Sequence, residues 1–150
     1  MKIWVDADAT PRPVKEIIFR AARRLVIPVR LVANRHQLTP RVKYIQAIVV
    51  GAGADVADDY IVEHCVAGDI VITQDIPLAD RVLDKGAHVL QPRGGRLTAE
   101  NIKQRLSVRD FMDDLRGSGV QTGGPPPFGT KDRQRFANEL DRLLTLLRKG

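Results

Sequence analysis

The 150 residues are 43% apolar and 28% charged with a formal net charge of +6, a balance that suits one globular domain with its own core. No apolar run approaches the ~18 residues a membrane span needs, and the opening Met1-Lys2-Ile3-Trp4-Val5-Asp6 lacks the long apolar stretch of a signal peptide. The single cysteine, Cys65, excludes an intrachain disulfide and fits a reducing cytoplasm.

In chain order, residues 2–5 read as a short buried strand. Residues 11–25 read as a helix, because Val14, Ile17, Ile18, Ala21 and Leu25 recur at helical spacing. Thr10 is placed to cap that helix and Pro11 suits its first position. Strands follow at 28–33 and 45–50. Gly51-Ala52-Gly53 turns into a helix of about 55–66, with Ala54, Ala57, Ile61 and Cys65 toward the core. Gly68-Asp69 punctuates before a strand at 70–73. Residues 77–85 read as a helix closed by Gly86, and 87–90 as a fifth strand. Alternation of this kind predicts a mostly parallel sheet with helices on both faces. Residues 98–115 read as helical with a break at Ser107, which with Asp110 makes a second capping signature. Residues 117–129, rich in glycine and holding Pro125-Pro126-Pro127, predict a flexible loop. A last helix, 131–148, carries the stripe Phe136, Leu140, Leu143, Leu144 and Leu147, which predicts packing back on the domain.

Carboxylates collect at the ends of these elements. Asp6 and Asp8 follow the first strand, Asp75 follows the fourth, and Asp55, Asp58 and Asp59 open the helix between them. In doubly wound sheets, ligands sit beyond the carboxyl ends of the strands where the strand order reverses. Asp6 and Asp75 reach that place if the first and fourth strands are neighbours. Like charges gathered there raise one another's pKa and call for a proton or a cation. Oxygen ligands without His or Cys favour Mg²⁺ or Mn²⁺ over zinc. The expected metal set is Asp6, Asp55, Asp58, Asp59 and Asp75, with Asp6, Asp75 and a water- or ligand-positioning Asp8 as catalytic residues. For Asp55 and Asp58, favourable placement at a helix start is the competing explanation. His36, His64 and His88 show no ligand spacing.

Charge is segregated along the chain. Residues 1–43 carry ten Lys/Arg against three Asp/Glu, residues 44–90 two against eight, and residues 91–150 twelve against seven. An acidic middle flanked by basic segments suits a polyanion held over a metal. The candidate phosphate contacts are Arg12 and Lys15 beside the first acids, Arg93 and Arg96 around Gly94-Gly95, and Lys131 at the start of the last helix. The two glycines are expected to let backbone approach a phosphate. Aromatics are only 5% of the chain, so contacts are expected mainly to the backbone of a nucleic acid and not to stacked bases.

The segments Val5-Asp6-Ala7-Asp8-Ala9-Thr10-Pro11, Gly53-Ala54-Asp55-Val56-Ala57-Asp58-Asp59-Tyr60-Ile61-Val62, Gly68-Asp69-Ile70-Val71-Ile72-Thr73-Gln74-Asp75-Ile76-Pro77-Leu78-Ala79 and Phe128-Gly129-Thr130-Lys131-Asp132-Arg133 closely resemble the YaiI/YqxD family of uncharacterised bacterial proteins. More distantly, the layout resembles the PIN-like nuclease superfamily. That resemblance implies a three-layer fold and a carboxylate site for Mg²⁺ or Mn²⁺ that cleaves RNA or DNA. It matches Asp6 after the first strand, Asp58 or Asp59 in the helix before the fourth, and Asp75 in Thr73-Gln74-Asp75 followed by Leu78-Ala79. The helix acid of the superfamily is usually Glu, and its fourth acid has only Asp80 as a poor counterpart. Asp6-x-Asp8-x-Thr10 also resembles the nucleophile motif of haloacid-dehalogenase-type phosphatases, which need a later strand-end Lys that this chain does not offer.

The chain is therefore expected to be a single α/β domain of PIN-like type, with about five strands and helices on both faces. The leading expectation is a Mg²⁺- or Mn²⁺-dependent nuclease with RNA as preferred partner and no membrane partner. The alternatives are a non-catalytic nucleic-acid or nucleotide binder with a residual pocket, and a phosphatase using Asp6 as nucleophile.

Overall fold

β1 (Ile3–Asp6) is buried along its whole length, and it pairs in parallel with β2 (Val29–Ala33) on one side and β4 (Ile70–Ile72) on the other. A strand buried on both faces needs apolar residues at successive positions, and Ile3-Trp4-Val5 supplies them. In the computed structural model, which describes residues 1–53, 55–106 and 127–148, β3 (Ile45–Val49), β5 (His88–Leu90) and β6 (Arg96–Leu97) complete a six-stranded sheet. The order is β3-β2-β1-β4-β5-β6, parallel except for β6 against β5.

Four α-helices lie wholly within the described residues: α1 (Arg12–Leu25), α2 (Val56–His64), α3 (Ile76–Asp84) and α4 (Thr130–Arg148). Side chains alternate across the strands, so Ile3, Val5, Leu31 and Ile72 face one layer while Trp4, Val32 and Val71 face the other. The first layer is α1 with α4: Val14, Ile18 and Ala22 pack with Phe136, Leu140, Leu143 and Leu144. The second is α2 with α3, through Ile61, Cys65, Leu78, Ala79 and Val82. This is the three-layer α/β arrangement expected, with α4 packed back on the domain. Cys65 is buried in the second core. Among the described residues no helix is long and apolar enough to cross a membrane.

Three local expectations change. β6 is an additional strand beyond the five expected: Arg96 and Leu97 pair with β5, and Leu97 is buried on the α2–α3 side. Of that helix, residues 102–106 are helical, and 107–115 lie outside the described residues, as do Ala54 and residues 117–126 of the predicted loop. Thr10 does not cap α1. A 3₁₀ turn at Ala7–Ala9 folds the chain back over the end of β1, where the Thr10 hydroxyl donates to the Asp6 carbonyl at 2.8 Å. Pro11 then stands at the N-cap instead of the first helical position.

Asp69, read from sequence as punctuation, is a buried organiser at the N-terminal edge of the sheet. Its carboxylate accepts from the Lys2 and Val66 backbone N–H groups and from Trp4 Nε1, each at 3.0 Å. The contact ties the start of β1 to the turn before β4. It also orients the indole, against which Tyr60 packs edge-on with ring centroids 6.3 Å apart.

Candidate carboxylate metal centre

The sheet order reverses between β1 and β4, so the crevice beyond their carboxyl ends is the favoured ligand position of this architecture. Asp6 is the last residue of β1 and only 8% exposed. Asp75 follows β4 and N-caps α3, its Oδ1 accepting from Leu78 N at 3.0 Å. Thr73 joins the two. Its hydroxyl donates to Asp6 Oδ2 at 3.0 Å and accepts from Asp75 N at 3.0 Å. Among the described residues, Asp6 Oδ1 has no donor.

Asp58, in the first turn of α2, completes the group. Asp6, Asp58 and Asp75 line one cavity of about 470 Å³, together with Asp8, Asn34, Gly51 and Gly53. Gly53 has a φ of +147°, and a Cβ there would stand 2.9 Å from Val56 Cγ2. A side chain at that position would strain the backbone and crowd the side chain of Val56, the first residue of the helix that carries Asp58.

Burial, then the charges of Asp75, Asp6 and Asp55, push the Asp58 carboxyl up to about 6, and it hydrogen-bonds to Asp75. Burial also raises the Asp6 carboxyl. The Thr73 hydroxyl pulls it back, and the Asp75 and Asp8 charges push it further up. Asp8 is anchored at the cavity wall: Asn34 N donates to its Oδ2 at 2.8 Å, and Arg35 Nε lies 3.7 Å from its Oδ1. As the side chains stand, no three Asp, Glu, His or Cys groups among the described residues are close enough together to ligate one ion.

Two predicted ligands fall outside this group. Asp59 is an exposed partner of Arg81 at 2.8 Å, because a single helical step turns it from the cavity toward α3. Asp55 occupies the N-cap position of α2 without a side-chain capping bond and is exposed.

The profile described as DUF188, the uncharacterised YaiI/YqxD family, matches residues 4–146. The chain belongs to the YaiI/YqxD family. It is similar to UPF0178 proteins of Pseudoalteromonas atlantica, at 60% identity over 96% of this chain and 98% of the relative, and of Dechloromonas aromatica, at 59% identity over 96% of each. A UPF0178 protein of Colwellia psychrerythraea is 56% identical over 99% of each chain. No solved structure matches.

In this YaiI/YqxD protein the predicted cations lie in two places. Arg12 is exposed beside Glu16 at 3.8 Å, and Lys15 Nζ donates to Gln37 Oε1 at 2.8 Å. Both line a pocket next to the carboxylates. Arg93, Arg96 and Lys131 sit instead around the β5–β6 turn and the start of α4. Arg93 pairs with Asp132 at 3.0 Å and lies over the Phe128 ring at 5.8 Å. Arg96 Nη2 is 3.2 Å from His88 Nδ1, and Lys131 is exposed. The glycines between the two arginines do not open toward a ligand. A Cβ on Gly94 would lie 2.9 Å from the Arg135 carbonyl carbon, and one on Gly95 would lie 2.6 Å from Gln91 Oε1. They make room for α4 and for the turn itself. The roles of Thr73, Asn34 and Arg35 were missed from sequence. The Thr73-x-Asp75 spacing was the one available signal for the first, and nothing local pairs Asp8 with residues 34 and 35.

Proposed function

We propose that this YaiI/YqxD protein is a Mg²⁺- or Mn²⁺-dependent phosphodiester hydrolase acting on RNA. One observation carries the proposal: Asp6, Asp58 and Asp75, from three separate elements, line a single cavity at the strand-order reversal, and Asp6 Oδ1 has no protein donor among the described residues. Bringing these acids together is unfavourable without compensation. The all-oxygen donors of Asp6, Asp58 and Asp75 are of the kind a hard dication takes, and binding one requires the three side chains to draw closer than they stand. Such an ion, when bound, polarises a phosphodiester and lowers the pKa of a water.

The chain's own groups do the positioning. Thr73 fixes the Asp6 carboxylate and the turn into Asp75 through one hydroxyl, which limits the reorganisation needed on ligand binding. Asp8, held by Asn34 N, offers an acceptor at the cavity wall for a water or a ribose hydroxyl. Arg35, Lys15 and Arg12 attract the polyanion to that wall. The cavity lining holds no lysine, which disfavours the dehalogenase-type phosphatase. That no three Asp, Glu, His or Cys groups among the described residues stand close enough to share one ion favours a second reading, a nucleic-acid or nucleotide binder without turnover.

Labelled RNA titrated with Mn²⁺ separates these readings. Metal-dependent cleavage that disappears in Asp6→Asn is the expected result. RNA binding without cleavage in both proteins would replace the hydrolase by the binder. An aspartyl-phosphate at Asp6 with turnover of small phosphomonoesters would replace it by the phosphatase.

A further inference from the structure

A second pocket, of about 730 Å³, lies between the N-terminal half of α1 and the segment that leaves β2. It shares a wall with the carboxylate cavity. Asn34 and Asp8 line the cavity, Arg35 lines the pocket, and Asp8 binds both Asn34 N and the Arg35 side chain. A chain lying across the Asp8 wall would therefore pass from one space directly into the other.

The pocket has two chemical halves. Arg12, Lys15 and Arg35 form one, opposed within the lining only by Glu16, which lies 3.8 Å from Arg12. Lys15 makes its hydrogen bond to a neutral amide, Gln37, and has no carboxylate in ion-pair contact among the described residues. Its ammonium is lowered from the ordinary lysine range by burial, drawn back by Asp8 and lowered again by Arg35. A half-buried cation facing another cation is stabilised by an incoming anion. The other half is apolar: the ring of Phe19, half-buried against the α1 core, with Pro40 and the 78%-exposed Leu38. An inorganic anion would use only the first half. A nucleotide, with a phosphate at one end and a flat apolar-faced ring at the other, uses both.

We propose that this pocket binds one nucleotide of a single-stranded substrate, its phosphate on Lys15 and Arg35 and its base against Phe19 and Pro40, while the next phosphodiester lies at the carboxylate cavity. The assignment deepens the proposed function and rests on it for the identity of the strand. It adds a ring contact to the phosphate contacts that composition alone suggests.

The test is calorimetric titration of the full-length protein, in EDTA, with a 5′-mononucleotide and separately with inorganic phosphate. The nucleotide is expected to bind about tenfold more tightly than phosphate. Lys15→Gln and Arg35→Gln are expected to weaken both ligands. Phe19→Leu, which keeps apolar volume in the α1 core, is expected to abolish the preference for the nucleotide and leave phosphate binding intact. Equal affinity for the two ligands, or an undiminished preference in Phe19→Leu, overturns the proposal. Mn²⁺ titration and RNA cleavage on the same variants keep the two claims apart. A pocket without nucleotide preference in a protein that still cleaves RNA with Mn²⁺ refutes the subsite alone. Nucleotide binding with no metal-dependent cleavage refutes the hydrolase alone.

Discussion

Asp69 and Asp6 belong to adjacent, parallel parts of one sheet, at its opposite edges, and both are nearly buried, at 4% and 8% exposed. Asp69 is saturated: two backbone N–H groups and the Trp4 indole donate to it, each at 3.0 Å. Asp6 receives one hydroxyl, shares a cavity with three further carboxyls, and keeps one oxygen without a donor among the described residues. A satisfied buried carboxylate stabilises the fold through what it holds together. An unsatisfied one is retained at a cost and is poised for a ligand from outside.

The largest expected effect tests the saturated end. Asp69→Ala leaves the buried Trp4 indole N–H and two part-buried backbone N–H groups without their acceptor and is expected to cost about 3 kcal/mol in urea unfolding. A cost near zero would mean that water replaces the carboxylate and would dissolve the contrast. Next comes the other end. Mn²⁺ at a hundredfold excess over its Kd is expected to stabilise the wild type by about 2.7 kcal/mol and to leave Asp6→Asn unchanged. Equal stabilisation of both would place the ion elsewhere.

A smaller effect follows from Asp58, whose carboxyl rises from 3.8 to about 6. An acid raised on folding binds more protons in the native state than in the unfolded one. Stability is then greatest below the lower value and is lost as pH rises through the upper one. Because Asp58 is partly exposed, solvent screening leaves about 1 kcal/mol. Metal-free urea midpoints of wild type and Asp58→Asn, compared below and above this window, should differ by that amount. Coincident profiles would show that folding does not raise the Asp58 carboxyl. The smallest effect sharpens the boundary of the site. Asp59→Asn breaks only the exposed contact to Arg81 and is expected to cost less than about 0.5 kcal/mol with unchanged Mn²⁺ affinity. A tenfold loss of affinity would bring Asp59 back among the ligands.

The strand and helix spacing was legible because each element buries a regular stripe. Ile3-Trp4-Val5, the Val14/Ile18 face and the Phe136/Leu140/Leu144 face were all readable before their partners were known. The approach of Asp6 to Asp75 followed from one topological premise, the pairing of β1 with β4. What remained hidden depends on contacts distant in sequence. The turn of α2 that sends Asp58 to the cavity and Asp59 to Arg81 is set by how α2 packs on α3. The purpose of Gly94 is set by Arg135, and the anchoring of Asp8 by Asn34 and Arg35.

The packing of α4 on α1 has a consequence for the order of assembly. Arg24 meets Asp141 across 117 positions, and Arg148 reaches the Leu25 carbonyl across 123. During synthesis the apolar flank of α1 emerges well before α4, which covers it in the fold. A nascent chain stalled before Thr130 is expected to be cut readily by protease within α1, and protection at that stage would show that the flank finds another cover. Covering the apolar side of α1 thus depends on contacts made across most of the described chain.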